Sequence, residues 1–133
     1  MQRFLRFAIV LLTLALLCPG CGGGDTYQSL ADSTIATMRD MVATFDTVKD
    51  EASAKAAKPK LKSIFEKMQS LNERQAKLPA PTEADVKAID AKYGKELTDL
   101  QMKLAGHMMR VTLDPKIRLE LADLEQSMQK TAN

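Results

Sequence analysis

The chain is poor in the residues that carry chemistry. It has one histidine, His107, and two cysteines, Cys18 and Cys21, among 133 residues. A structural zinc site takes four ligands from Cys, His or carboxylate, so Cys18-Pro19-Gly20-Cys21 lacks the partners to complete one. A c-type haem attachment needs His directly after the second Cys, where Gly22 stands. The thioredoxin-like reading of C-x-x-C needs a βαβ setting, and no period-two alternation surrounds the pair. The sole histidine is flanked by apolar residues, which excludes a Ser, His and Asp arrangement, and the two Glu-x-x-His motifs of di-metal bundles are missing. There is no Gly-rich phosphate loop and no repeat of fixed length. Asp50 with Glu51, and Glu83 with Asp85, fall at helix ends, where capping and solvation account for them. The expectation is therefore no catalytic residue, no metal ligand and no cofactor.

What is present begins at the N-terminus. Arg3 and Arg6 precede an apolar run from Phe7 to Leu17 broken only by Thr13, followed at once by small and turn-forming residues. This is the layout of a secretory signal, and the run falls short of the roughly 20 residues that a helix needs to cross a bilayer. The residues alone leave open release by a general signal peptidase or retention as an uncleaved anchor. Leu11 to Gly24 resembles the signal and lipobox of bacterial lipoproteins, in which a cysteine after small residues is acylated and becomes the new N-terminus. Cys21 follows Gly20, whereas Cys18 follows the bulky Leu17. The resemblance, shared with small helical lipoproteins of bacterial envelopes, implies a signal peptide over 1–20 and lipid attachment at Cys21. It also implies an exported protein, anchored to the cell membrane or outer membrane, with its domain in the periplasm or outside the cell. Gly22, Gly23 and Gly24 suit a flexible tether, so 21–25 reads as lipidated cysteine and linker.

Removing 1–20 leaves the charges balanced: 19 basic residues less Arg3 and Arg6 meet 17 acidic ones. That balance argues against nucleic acid, which demands an excess of Lys and Arg over its phosphates. The charge is unevenly spread, since 25–51 holds six acids and two bases while 55–77 holds seven bases and two acids. The basic segment is either a patch for anionic lipid or polymer, or one half of an electrostatic match between neighbouring antiparallel helices. The match is the expectation.

The rest of the chain, 26–133, has the apolar spacing of helices. Ala31, Ile35, Met38, Val42 and Phe45 recur at steps of three and four, widened by Met41 and Val48, predicting a first helix over Thr26 to Lys49. Ala54, Ala57, Leu61, Ile64, Met68 and Leu71 predict a second over Ser53 to Leu78, with Ser53 as N-cap. Pro59 removes one backbone bond within it, which predicts either a kink or a start near Lys58. Leu78-Pro79-Ala80-Pro81 is a stiff connector, and Thr82 caps a third helix with acids in its first turn. Val86, Ile89, Tyr93, Leu97, Leu100, Leu104, Met108 and Val111 form its stripe, and Gly94 and Gly106 within it suggest close helix approach or mild bending. Asp114-Pro115 opens a short fourth helix with Ile117, Leu121, Leu124 and Met128 inward, Leu113 and Leu119 beside them. Short connections favour antiparallel neighbours. The fold expected is all-α, an up-and-down antiparallel helical bundle with three long helices and a shorter fourth.

His107 lies beside Met108 and Met109, and imidazole with thioether is a soft ligand set; Met38 and Met41 could add to it from the first helix. Methionine is also a common filler of helical cores, and packing is the expectation. The outline resembles the b-type four-helix cytochromes, which ligate haem by Met on the first helix and His on the last; here His107 is on the third. That resemblance implies the bundle fold and, as the alternative function, a periplasmic haem or copper carrier using His107 and methionines. The function expected is a non-enzymatic structural or protein-interaction role at the envelope. A short fourth helix would leave an apolar strip for another envelope protein or a second copy, with Met102, Met108 and Met109 nearest to it.

Overall fold

The computed structural model describes residues 25–130. The expected signal segment, both cysteines and the glycine run lie outside the described residues. Four helices follow: α1 Tyr27–Thr47, α2 Glu51–Ala76, α3 Glu83–Leu113 and α4 Pro115–Lys130. Each begins with a side chain that satisfies amides otherwise left without partners in a first turn. Thr26 Oγ1 accepts from Ser29 N at 3.1 Å while Ser29 Oγ accepts from Thr26 N at 3.0 Å. Thr82 and Asp85 form the same reciprocal box. Asp114 Oδ1 accepts from Lys116 N at 2.9 Å and Ile117 N at 3.2 Å, with Pro115 at the first helical position.

The start of α2 differs from expectation. Asp50 is its N-cap, in extended backbone at φ −152°, and Ser53 is the third helical residue. Asp50 Oδ1 accepts from Ser53 N at 2.8 Å, and Ser53 Oγ accepts from Asp50 N at 2.9 Å. The carboxylate wins the cap because the box partner three residues on completes it. Pro59 therefore sits inside α2, and the helix does not begin near Lys58.

Successive helices run up and down. At one end Asp25 pairs with Arg74, and the Tyr27 hydroxyl donates to the Pro79 carbonyl; at the other Val48 packs in one cluster with Ala54. Backbone packing joins α1 to α2 and α3, and α4 to α2 and α3. Although a short connector links them, α2 and α3 lie across the bundle with their backbones apart. The main core gathers Met41, Phe45, Leu61, Ile64, Val111 and Ile117, among others, from all four helices. A smaller cluster of Ile35, Val42 and Leu100 seals α1 against α3. Among the described residues, Thr37 and Thr44 are polar and buried. Their hydroxyls donate to the carbonyls of Ser33 at 2.7 Å and Asp40 at 2.6 Å, four residues back, leaving the methyl groups to pack.

With 31 residues in α3 and 16 in α4, the two span roughly 46 and 24 Å at 1.5 Å per residue. The consequence is visible on α3. Of its eight predicted core positions only Leu100 and Val111 are buried, and Val86, on the half that α4 does not reach, is 44% exposed. Neither glycine of α3 admits a neighbouring helix: a Cβ at Gly94 would meet the side chain of Asp90 in its own helix, and one at Gly106 would meet nothing within 4 Å.

Candidate functional site

His107 is placed by α3 against the last turn of α1. Its side chain is 13% exposed, its ring stacks on Phe45 with centroids 5.9 Å apart, and both nitrogens are engaged. Nδ1 lies 3.2 Å from Arg110 Nη2 and Nε2 lies 3.1 Å from Asp46 Oδ1. A guanidinium only donates. Nδ1 must accept, so the hydrogen-bond network assigns the proton to Nε2, which donates to Asp46. Arg110 Nη2 also donates to the Phe45 carbonyl at 2.8 Å, placing a cation at the C-terminal end of α1, where the helix dipole favours it. Arg110 Nε is buried without a partner. This is a clamp that closes α1 onto α3, and metal ligation by His107 would require giving up one of its two bonds.

Burial holds the His107 pKa below its ordinary value; Asp46 opposes the shift, and Arg110 and Lys49 add to it. The fold thus favours the neutral ring. A histidine whose folded pKa is depressed contributes stability that is present above the unfolded pKa of about 6.5 and lost as pH falls below it. Thermal melts at neutral and mildly acidic pH, above the range where carboxylates titrate, should show a falling midpoint for the wild type and a flatter profile for His107→Asn. Equal profiles would show that the imidazole is not held neutral.

The methionines divide by position. Met41 is buried in the main core, Met108 packs against that core, and Met38 packs on the smaller cluster. Met102 and Met109 do not face the gap beside α4. They are 63% and 66% exposed, and at 3.6 residues per turn they fall on the side of α3 opposite Leu100 and Val111. Gly106 and Leu113 continue that outer strip, and an open hollow lined by Gly106, Met109, Leu113 and Pro115 carries it onto the start of α4. Leu113 is 74% exposed. Helical spacing placed these residues near the core stripe by sequence neighbourhood; the angle about the helix axis separates them from it.

The carboxylate pairs serve the backbone or surface lysines. The Asp50 carboxyl is held below its usual range by bonds from Ser53, and that of Asp85 by bonds from Thr82. Glu83 pairs with Lys87 one turn on at 2.7 Å. Among the described residues no group of three or more His, Cys, Asp or Glu side chains is placed to hold a metal ion, and no helix is long and apolar enough to cross a membrane.

The expected charge match between the acidic 25–51 and basic 55–77 segments is made by one ion pair among the described residues. Asp25, just before α1, pairs with Arg74 near the end of α2. The charged residues of α1 that pair across helices reach α3: Arg39 Nη2 to Glu96 at 2.8 Å, Asp32 to Lys92 at 3.1 Å and to the Tyr93 hydroxyl at 2.6 Å, and Asp46 to His107. Tyr93, then Lys92, hold the Asp32 carboxyl below its ordinary pKa. Sequence proximity suggested α2 as the partner of α1, but these acids lie on the flank that faces α3. In comparisons with known proteins, the chain matches no family model, no curated protein and no solved structure.

Proposed function

We propose that the protein is a lipid-anchored lipoprotein of the bacterial envelope, held through an acyl chain on Cys21, whose helical bundle has a non-enzymatic structural or protein-interaction role. The observation that carries the interaction role is the outer strip of α3. Met102, Met109 and Leu113 are the most exposed large apolar residues of that helix, they share one face, and a contiguous exposed apolar strip marks a surface that a partner covers. Methionine suits such a surface because its unbranched side chain adapts to what it meets. For anchoring, the support is Gly20-Cys21 at the foot of the apolar run, with three glycines between that cysteine and Asp25, where the described bundle begins.

Metabolic labelling with a fatty-acid probe tests the anchor: the wild type should be labelled and Cys21→Ser unlabelled, and equal labelling of both would overturn it. A photo-crosslinking residue at Met109 tests the strip in intact cells. Capture of a distinct envelope protein is expected, capture of the chain by itself would assign the strip to self-association, and no crosslink would remove the interaction role. If native protein instead carries stoichiometric haem or copper that is lost in His107→Ala, the carrier reading replaces this one.

A further inference from the structure

The outward face of α2 carries a second pattern. Lys60, Ser63, Lys67, Ser70, Arg74 and Lys77 recur at steps of three and four, and every one is exposed. That spacing aligns them along one side of the helix over roughly 25 Å. Two acids border the row: Glu66 and Glu73 lie three or four residues from Ser63, Ser70 and Lys77 and about 100° round the helix from Lys67 and Arg74. Lys60 and Lys67 make no salt bridge among the described residues, whereas Lys58, on the opposite flank, reaches Glu120 of α4 at 3.7 Å. Arg74 is paired with Asp25, so the cations of the row left without an ion pair among the described residues include Lys60 and Lys67, with the small Ser63 and Ser70 between the charges letting a flat surface come close.

We propose that this row is a second membrane contact, the face by which the bundle lies on anionic phospholipid headgroups. The position of the chain's exit selects a membrane as the occupant. Asp25 is bonded to Arg74, with Oδ2 2.7 Å from Nε, so the polypeptide leaves the bundle beside the lower end of the row. Three glycines separate Cys21 from Asp25, making four steps along the chain, and an extended chain spans at most about 3.6 Å per step. A lipid at Cys21 would therefore hold the bilayer surface no more than roughly 14 Å from Asp25, under two screening lengths of about 8 Å at physiological salt. From there Lys67 and Lys60 lie one behind the other along the surface. Ammonium groups on flexible stems suit mobile headgroup phosphates, which need charge rather than a fixed fork. The choice of a membrane over another polyanion rests on the Cys21 anchor proposed above; the charge of the row does not.

The full chain, reconstituted through its N-terminal segment into vesicles, provides the test without any substitution. Acetylation rates of individual lysines are read by mass spectrometry on phosphatidylcholine alone and on phosphatidylcholine mixed with phosphatidylglycerol. A cation at an anionic surface gains about five-fold in local affinity, so Lys60 and Lys67 should react several-fold more slowly on the mixed vesicles. That protection should disappear at high salt, and Lys95 and Lys103 on α3 should be unchanged. Equal rates on the two vesicles would overturn the proposal. So would protection seen only on adding a soluble sulfated polysaccharide, which would assign the row to an anionic polymer. Because these vesicles take up the chain without acylation, the result is independent of whether Cys21 is labelled in cells.

Discussion

Leu61→Ala should lower the stability of the bundle by about 2–5 kcal/mol, the range for deleting a fully packed leucine. Leu61 is 0% exposed, and it sits in the cluster that brings Phe45 of α1, Val111 of α3 and Ile117 of α4 together with α2. Truncation there removes apolar area and leaves a cavity bordered by four elements, none of which can move in without disturbing the others. Leu100→Ala, in the smaller seam between α1 and α3, belongs to the same range. Val86→Ala is the control, because Val86 has the inward spacing but lies where α4 does not reach. It should cost less than about 1 kcal/mol. Urea unfolding followed by circular dichroism measures all three. A loss at Val86 equal to that at Leu61 would mean that the lower half of α3 is covered in solution, by a second copy or by an element outside residues 25–130.

The contrast between Leu61 and Val86 shows what the sequence makes legible. Local features carry over directly: the stripe of α1, the Thr82 and Asp114-Pro115 starts, and the short α4 are all consequences of spacing and capping within a few residues. Features that depend on which helix faces which do not. Val86 has the right period for burial, but its exposure follows from the length of α4. Met102 and Met109 are close in sequence to Met108 and on the other side of the helix from the core. Thr37 and Thr44 are polar by type and buried in fact, because each hydroxyl is satisfied by its own helix. The Asp46, His107 and Arg110 clamp joins residues from two helices far apart in sequence, with no local motif to announce it. The same holds for the basic row of α2: the charge excess of 55–77 is plain in the sequence, but that Arg74 takes Asp25 while Lys60 and Lys67 make no salt bridge among the described residues follows from α1 turning Asp32 and Asp46 toward α3.

Pro59→Ala should stabilise the protein, by about 2 kcal/mol. Proline in a helix interior costs about 3 kcal/mol relative to alanine, because it lacks the N–H that would bond four residues back and its ring crowds that carbonyl. Pro59 lies about two turns inside α2, which runs unbroken from Glu51 to Ala76, so the carbonyl it deprives is that of Lys55. Both residues are exposed; water can serve that carbonyl, and replacing the ring removes no buried contact. Against the gain stands the stiffness that proline gives the unfolded chain, whose loss returns about 0.4–1 kcal/mol. The helix term is the larger, and the net sign is stabilising. Pro115→Ala separates this from a general effect of removing proline. Pro115 occupies the first position of α4, where no N–H is required and its fixed φ already suits the helix, so alanine there should be neutral or slightly destabilising. Urea midpoints for the two variants should therefore move apart, Pro59→Ala upward and Pro115→Ala little or downward. A destabilised Pro59→Ala would mean that the chain before residue 59 is not helical in solution, and that α2 begins where the proline by itself suggests.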